Sequence, residues 1–493
     1  MTRRLLVLIL VGGSVAACGG GGGGGGGGSG NASGGGGTGG GSPPPPACGS
    51  QPFQPPTGGQ TYYVAPNGSD SAAGTMAAPF RTMEAAADVA GGGDVVYLRD
   101  GVYNQAENFN AVGDAGNPVV FMAYPGEHPI LDGNGQGLGE RDSVLQLFEP
   151  QHVVVAGLEI RNSPGRGVQI IDGDDVVIRD CTIHDVGFKA LGLNGTNLVA
   201  ESNVIYNAVM SNESSTAGSG WAAAVTTQLS EDGSHPRNIV FRGNLVHDVW
   251  GECITALYAE GLTIAGNEFR DCFSVGVYVN TSRSVRVEGN IIRAVNPAYR
   301  RDGGSGKLID AILMGSEAGD DAAPDFGAED VVIANNIIVG THTGVAWWDD
   351  DSNARASNTY QRVQIVSNVV WGAAQSAIMF DDVPASRTAP SATLTNNIVY
   401  ESSGGTALQI GDISAWTITA NLFPDGVPST AGGASNIAGD PMLAAPALAA
   451  AADAFRPAAA SPARHAGRPV TAVPLDYACA TRGTADTTIG AFE

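Results

Sequence analysis

The chain reads as an all-β solenoid, and three observations predict it. The first is a repeat. Ile239-Val-Phe-Arg-Gly-Asn244-Leu-Val246 returns 23 residues later as Leu262-Thr-Ile-Ala-Gly-Asn267-Glu-Phe269, and 23 later again as Val285-Arg-Val-Glu-Gly-Asn290-Ile-Ile292. A fixed period of this length means that each unit buries its apolar face only by stacking on its neighbours. The second is alternation, both within these lines and in the short runs Cys253-Ile-Thr-Ala and Gly276-Val-Tyr-Val between them, which marks strands rather than helices. The third is one register that holds along most of the chain. Short strands recurring in one order with no helix between them predict a right-handed, single-stranded parallel β-helix of about ten or more coils.

With the first apolar residue of each line as position zero, the zeros are Val153, Val176, Leu198, Ile239, Leu262, Val285, Val331, Val363, Ala392 and Trp416. Position two, from Val155 to Ile418, and position seven, from Ile160 to Phe423, are apolar throughout, in a chain only 43% hydrophobic. These rows are predicted to face inward. Position five is Leu158 and Cys181, then Asn203, Asn244, Asn267, Asn290, Asn336, Asn368, Asn397 and Asn421. The common use of Asn in turns does not explain one fixed register. Stacked Asn predict an amide ladder, each side chain bonding the coils above and below.

Composition limits the partners. The 49 acidic side chains outnumber the 25 basic ones, a net charge of −24. Loss of Arg3 and Arg4 with a signal takes it from −24 to −26. No basic stripe exists to neutralise phosphate, so nucleic acid is excluded as a partner. Lysine is confined to Lys189 and Lys307.

Arg3-Arg4, an apolar run from Leu5 to Val11, and Val15-Ala-Ala-Cys18 follow the order of a secretory signal. The run is too short to span a bilayer. Val-Ala-Ala-Cys resembles a bacterial lipobox. The expectation is a lipoprotein-type signal over 1–17, lipidation at Cys18 and a Gly/Ser/Pro-rich tether over 18–60. Gly19 follows the Cys instead of the Asp of inner-membrane retention, pointing to the outer membrane or cell surface. The alternative is an ordinary cleaved signal and a secreted product. Export permits disulfides: Cys253 with Cys272 and Cys48 with Cys479 are candidates, while Cys181 lies buried in the ladder register.

Residues 61–152 are read as N-terminal coils with a cap, 153–435 as the repeats and 436–493 as the exit segment. Thr82 is expected to cap a helix through Ala90 that closes the open end of the solenoid. Thr61-Tyr-Tyr-Val-Ala-Pro-Asn-Gly-Ser-Asp-Ser, Pro79-Phe-Arg-Thr-Met and Gly93-Asp-Val-Val-Tyr-Leu-Arg-Asp-Gly-Val-Tyr103 together carry a family resemblance. This stretch resembles the start of the right-handed parallel β-helix superfamily. That group includes pectate lyase-like, alginate lyase and chondroitinase B-like polysaccharide lyases, and surface proteins without assigned activity. Asp440-Pro, Ser461-Pro-Ala and Ile489-Gly-Ala-Phe-Glu493 resemble its exit segment. The resemblance speaks for fold; function lives in sites grafted onto it.

The resemblance implies a groove on the outer side of the second strand of each coil, where lyases of this fold hold sugar chains. Alternation turns Asn194, Tyr278, Asn280 and Trp348 outward there, as substrate-binding candidates. The register just before these strands holds Arg166, Lys189, Glu252, Val275, Asp310 and Thr343. β-Elimination needs a base for the sugar C5 proton; Lys189 is the leading choice, with Arg283 or Arg166 weaker. Glu252 and Asp310, two coils and about 10 Å apart, approach the spacing of paired carboxylates in inverting glycosidases. Asp349, Asp350, Asp381 and Asp382, with Glu317 one coil earlier, form an acidic cluster suited to Ca²⁺, an ion that in the lyase reading would position the uronate for Lys189. Asp172, Asp174 and Asp175 form a second cluster. Insertions at Met210–Pro236 and Asn296–Glu329 flank the coils of Glu252 and Tyr278 and are expected to wall the groove.

The expectation is therefore an exported, lipid-anchored, monomeric β-helix protein that binds polysaccharide and cleaves it by lyase-type elimination on an acidic glycan. The tight Lys and Arg signatures of known lyase families and the polygalacturonase pattern are both absent. Two alternatives stay open: a non-catalytic glycan-binding or cell-surface module, and an inverting glycoside hydrolase.

Overall fold

A computed structural model describes residue 48 and residues 53–213, 222–230, 232–300, 307–317, 324–349 (Asp349 by its backbone alone), 355–401, 404–433 and 435–493. The chain winds as a right-handed parallel β-helix of three stacked sheets. Each coil gives one strand to each sheet in turn: Gln151–Ala156 to sheet one, Glu159–Ser163 to sheet two and Arg166–Ile171 to sheet three. Every ladder between coils is parallel and joins like positions, as Val153, Val176 and Leu198 show in sheet one.

The predicted inward rows are the core. Val153, Ile178, Phe241, Ile264, Ile292 and Val370 are all buried. The predicted ladder is also present. Asn267 Nδ2 donates to Asn290 Oδ1 at 2.9 Å and to the Phe241 carbonyl at 3.0 Å, and its Oδ1 accepts the Asn244 N–H at 2.9 Å. The pattern repeats from Asn203 to Asn421, and Asn436, outside the predicted set, extends it by one coil. A left-handed residue precedes each rung, such as Ser202, Gly266 or Asn335, with φ near 60°, and this turn points the amide inward.

The cap is a short helix, Met83–Ala87, ending before the predicted Ala90. Thr82 Oγ1 accepts the Ala85 N–H at 3.0 Å, and Met83 and Ala86 are fully buried against the first coils. Gly91 to Gly93 carry the chain away before a longer helix forms. Across 443–460 the chain is irregular apart from the 3₁₀ turn Ala452–Phe455. The exit segment covers the outer face of sheet two, with Phe455, Ile489 and Phe492 on Ile337, Val369 and Ile398. Both candidate disulfides are formed, Cys253–Cys272 and Cys48–Cys479, and Cys181 is free and buried.

One correction concerns the first insertion. Within Met210–Pro236 lies a strand, Ala223–Thr227, that pairs with Leu191–Leu193 on one side and Glu252–Leu257 on the other. Its small residues hide the alternation, yet they complete sheet three. Among the described residues no helix is long and apolar enough to cross a membrane. Cys18 and Asp350 lie outside the described residues.

Candidate functional site

The outer side of sheet three collects most of the predicted site residues, because the strand ladders place equivalent positions of successive coils side by side. The ladders align Arg166 with Ser143, Val168 with Leu191, Leu191 with Val225, and Ala223 with Glu252. Arg166 and Lys189 are therefore neighbours in one row, followed by Ala223, Glu252, Val275, Asp310, Thr343 and Ser376.

At the N-terminal end of this row two cations sit side by side. Lys189 Nζ donates to Gln228 Oε1 at 3.0 Å and lies 5.7 Å from the centre of the Phe188 ring. Burial pushes the Lys189 amine down to about 8, and the adjacent Arg166 adds repulsion in the same direction. Arg166 Nη1 donates to Gln169 Oε1 at 3.3 Å; burial, then Arg141 nearby, lowers its pKa too. Among the described residues no carboxylate lies within ion-pair distance of either group, although Asp142 attracts Arg166 from farther off; the hydrogen-bond acceptors of both side chains are amide oxygens. Gly192 makes room for this. A Cβ there would lie 2.3 Å from Gln169 Oε1, so glycine lets the Gln169 carboxamide lie across the next coil. Gln169, Gln228 and Arg141 were missed in the sequence. Gln228 sits in an insertion read as loop, and its partner is 39 residues away.

Farther along the row the charge changes sign. Glu252 is buried and accepts the Thr255 hydroxyl, and Asp310 Oδ1 accepts the Thr343 hydroxyl at 2.8 Å. They stand two coils apart, as expected. Asn194, Tyr278 and Asn280 belong to outward positions but are covered. Asn194 bonds the 228–230 segment through the Leu229 carbonyl at 2.6 Å, Tyr278 donates to Glu317, and Asn280 Oδ1 accepts the Glu317 N–H at 3.2 Å. Among the described residues the exposed rings on this side are Trp348, 43% exposed, and Phe148, 38% exposed and not predicted. On the bordering turns, Trp250 packs against Phe273 and Tyr299, ring centres 5.8 and 4.8 Å away.

Two predicted groupings come apart. Arg283 opens a strand of sheet one, where Glu260 pairs with it at 3.0 Å and Phe326 covers it, so it is not on the groove sheet. Asp381 and Asp382 follow Ser376–Phe380, six strands from the strand of Lys189, about 29 Å along the stack at about 4.8 Å per strand. The acidic cluster and Lys189 therefore cannot act on the same sugar. Of the second cluster, Asp175 is taken by His152 at 2.7 Å and Asp174 accepts from Asn197 at 2.9 Å. Among the described residues no three His, Cys, Asp or Glu side chains converge on one point.

Three stacked parallel sheets and an Asn ladder define the class by its fold, a right-handed parallel β-helix. More narrowly, residues 62–238 match the family described as Pel9A-like, right handed beta helix region, and residues 226–360 that described as right handed beta helix region. A pectate lyase, PEL9, of Emericella nidulans is 32% identical over 152 residues, 28% of this chain and 37% of that one. The uncharacterised protein YwoF of Bacillus subtilis is 32% identical over 105 residues, 21% of this chain and 22% of that one. The chain thus spans well under half the length of these curated relatives. Among solved structures, the GH136 lacto-N-biosidase from Eubacterium ramulus has a TM-score of 0.53 at 16% identity, over 74% of this chain and 68% of that one. XylC in complex with xylose has a TM-score of 0.52 at 12% identity, over 88% of this chain and 98% of that one. At such identities the likeness is one of fold.

Proposed function

We propose that this protein is a polysaccharide lyase that cleaves an acidic glycan by β-elimination on the outer side of sheet three. One observation carries the reading: Lys189 is partly buried beside Arg166, its amine is pushed down to about 8, and no described carboxylate is paired to it. A neutral amine at that position is a competent base, because the best catalytic pKa lies near the working pH. Lys189 Nζ takes the proton from C5 of a uronic acid. The C–H electrons form the C4–C5 double bond, the C4–O bond breaks, and a proton from solvent completes the leaving hydroxyl. Arg166 meets the uronate carboxylate, stabilising the charge that builds as C5 loses its proton. The pectate lyase among the sequence relatives supports the same reaction class.

Ca²⁺ belongs to a separate part of the proposal. Asp381 and Asp382, with Asp349 and Asp350 one coil earlier, are the hard oxygen donors that this ion takes. Bound there it would neutralise mutual repulsion and steady the coils, far from the reacting sugar. Export and a lipid anchor at Cys18 are also proposed, on the lipobox-like Val15-Ala-Ala-Cys18; Cys18→Ser should then move the protein out of the membrane fraction. The deciding experiment is a polysaccharide panel, with and without chelator, read by the ultraviolet absorbance of unsaturated products. No such product from any acidic glycan that binds would leave a glycan-binding module as the reading.

A further inference from the structure

Resting on the lyase reading, we infer that Gln228 is a positioning residue for the base Lys189, an uncharged acceptor that orients the amine without making it keep its proton. The bond runs from Lys189 Nζ to Gln228 Oε1 at 3.0 Å, across 39 residues of sequence. A neutral amine carries two N–H bonds and one lone pair, and rotation about Cε–Nζ decides where the lone pair points. With one N–H committed to Gln228 that rotation is limited, and the lone pair is left for a C–H of the sugar. A carboxylate in the same place would hold the amine equally well. It would also favour the ammonium form, which has no lone pair to offer. An amide oxygen accepts the bond and adds no charge. Among the described residues the charged group felt at Lys189 is Arg166, which favours the neutral amine as well.

Gln228 is itself held from both sides. Before it, Thr227 ends the strand Ala223–Thr227 and is buried; its hydroxyl donates to the Leu257 carbonyl at 2.9 Å and accepts the Leu257 N–H at 2.8 Å, in the following coil. After it, the buried Asn194 of the preceding coil takes the next two residues. Its Nδ2 donates to the Leu229 carbonyl at 2.6 Å, and its Oδ1 accepts the Ser230 hydroxyl at 3.1 Å. The same Oδ1 accepts the Asp172 N–H at 3.0 Å, which ties Asn194 one coil further back. A surface turn at this point could take its backbone partners from water. Instead, buried side chains of two coils fix the backbone on either side of a partly exposed glutamine, and with it the reach of that amide to Lys189.

The test uses the scarcity of lysine. Lys189 and Lys307 are the only two in the chain, so labelled lysine gives two side-chain signals by NMR, and Lys189→Met assigns them. Gln228→Glu keeps the size and the acceptor and adds a charge. The pH midpoint of the Lys189 signal should then rise by roughly one unit or more. At low pH kcat/KM should fall by the same factor, about ten-fold or more, and recover above the new midpoint. Gln228→Leu removes the acceptor and should lower the plateau kcat on the order of ten-fold, with KM unchanged and the midpoint not raised. Turnover is read on polygalacturonate and alginate by the ultraviolet absorbance of unsaturated products. A Lys189 midpoint that Gln228→Glu leaves in place overturns the inference, and so does wild-type kcat in Gln228→Leu. Activity that stays lost in Gln228→Glu above its new midpoint overturns it too, because Gln228 would then do more than orient the amine. The lyase reading is judged apart. It falls if the midpoint moves and the rate profile does not follow, or if neither polymer gives unsaturated product, while the lysine signal still decides whether Gln228 holds the amine.

Discussion

Two rows run the length of the same solenoid, and they obey opposite rules. Along the turn between sheets one and two, Asn follows Asn from Asn203 to Asn421, each making the same bonds, and Asn436 ends the row with a bond to the Ala431 carbonyl instead. Along the leading edge of sheet three, Arg166, Lys189, Ala223, Glu252, Val275 and Asp310 follow one another with no repetition of charge or size. The first row solves one problem in every coil: a buried turn must satisfy its own backbone donors. The second mixes the partly exposed Arg166, Lys189 and Asp310 with the buried Ala223, Glu252 and Val275, and no single set of bonds is shared from coil to coil. In a solenoid, departure from the repeat marks chemistry and adherence to it marks stability.

Substitutions in each row should break that contrast or sharpen it. Lys189→Ala is expected to lower turnover on an acidic glycan by about 10²–10⁴-fold and leave binding nearly intact, since a base acts mainly in the transition state. Wild-type rates in this variant would refute the assignment. Asn267→Ala, in the regular row, should instead cost about 1–3 kcal/mol of stability, because the Asn244 N–H and the Phe241 carbonyl lose buried partners. Asn212, which makes a single half-buried bond to the Trp250 carbonyl, should cost much less. Matching denaturant midpoints for the two would show that the ladder contributes nothing special.

The pH dependence follows from Lys189. With its amine pushed down to about 8, kcat/KM should rise through that pH and level off above it, as the base loses its proton. Stability should move in the same direction. In the unfolded chain the amine keeps its proton up to about 10.4, so between the two values the unfolded state binds more protons and stability climbs with pH. Lys189→Met should remove this slope in urea titrations; an unchanged slope would assign it elsewhere. Smaller still, Gly192→Ala should displace the Gln169 carboxamide and raise KM a few-fold, visible as a shift in half-saturation at constant kcat. The smallest effect belongs to the acidic end. Asp381→Asn should erase a Ca²⁺-dependent rise in melting temperature without changing kcat, since about 29 Å separates it from Lys189. A fall in kcat would mean that the two ends are coupled.

The fold was legible in the sequence for the same reason that its interior is regular. Asn203 to Asn421 and the apolar rows repeat because every coil meets the same constraint, and one period exposes them all. Lys189, Glu252 and Asp310 could be placed in one row by the same count. Their neighbours could not. Gln228 reaches Lys189 from a segment whose strand, Ala223–Thr227, is too poor in large apolar residues to announce itself. The burial of Asn194 and Tyr278 depends on irregular segments that obey no period. The pairing of Asp381 with the chemistry of Lys189 failed because like positions in a sequence alignment do not tell how many coils lie between them.

The Cys48–Cys479 bridge sets where a pull on the N-terminal side of the chain is felt. Parallel coils unzip most easily from an end, where the last strand has a neighbour on one side only. Here the two cysteines are 431 residues apart in sequence and covalently joined. Tension applied ahead of Cys48 therefore passes straight to the exit segment at Cys479, which lies along the flank of the solenoid, and the strand Thr61–Val64 stays out of the loaded path. Reduction of that one bond would turn the first coil into the weakest link, and the molecule would then peel from its cap under a force it otherwise ignores.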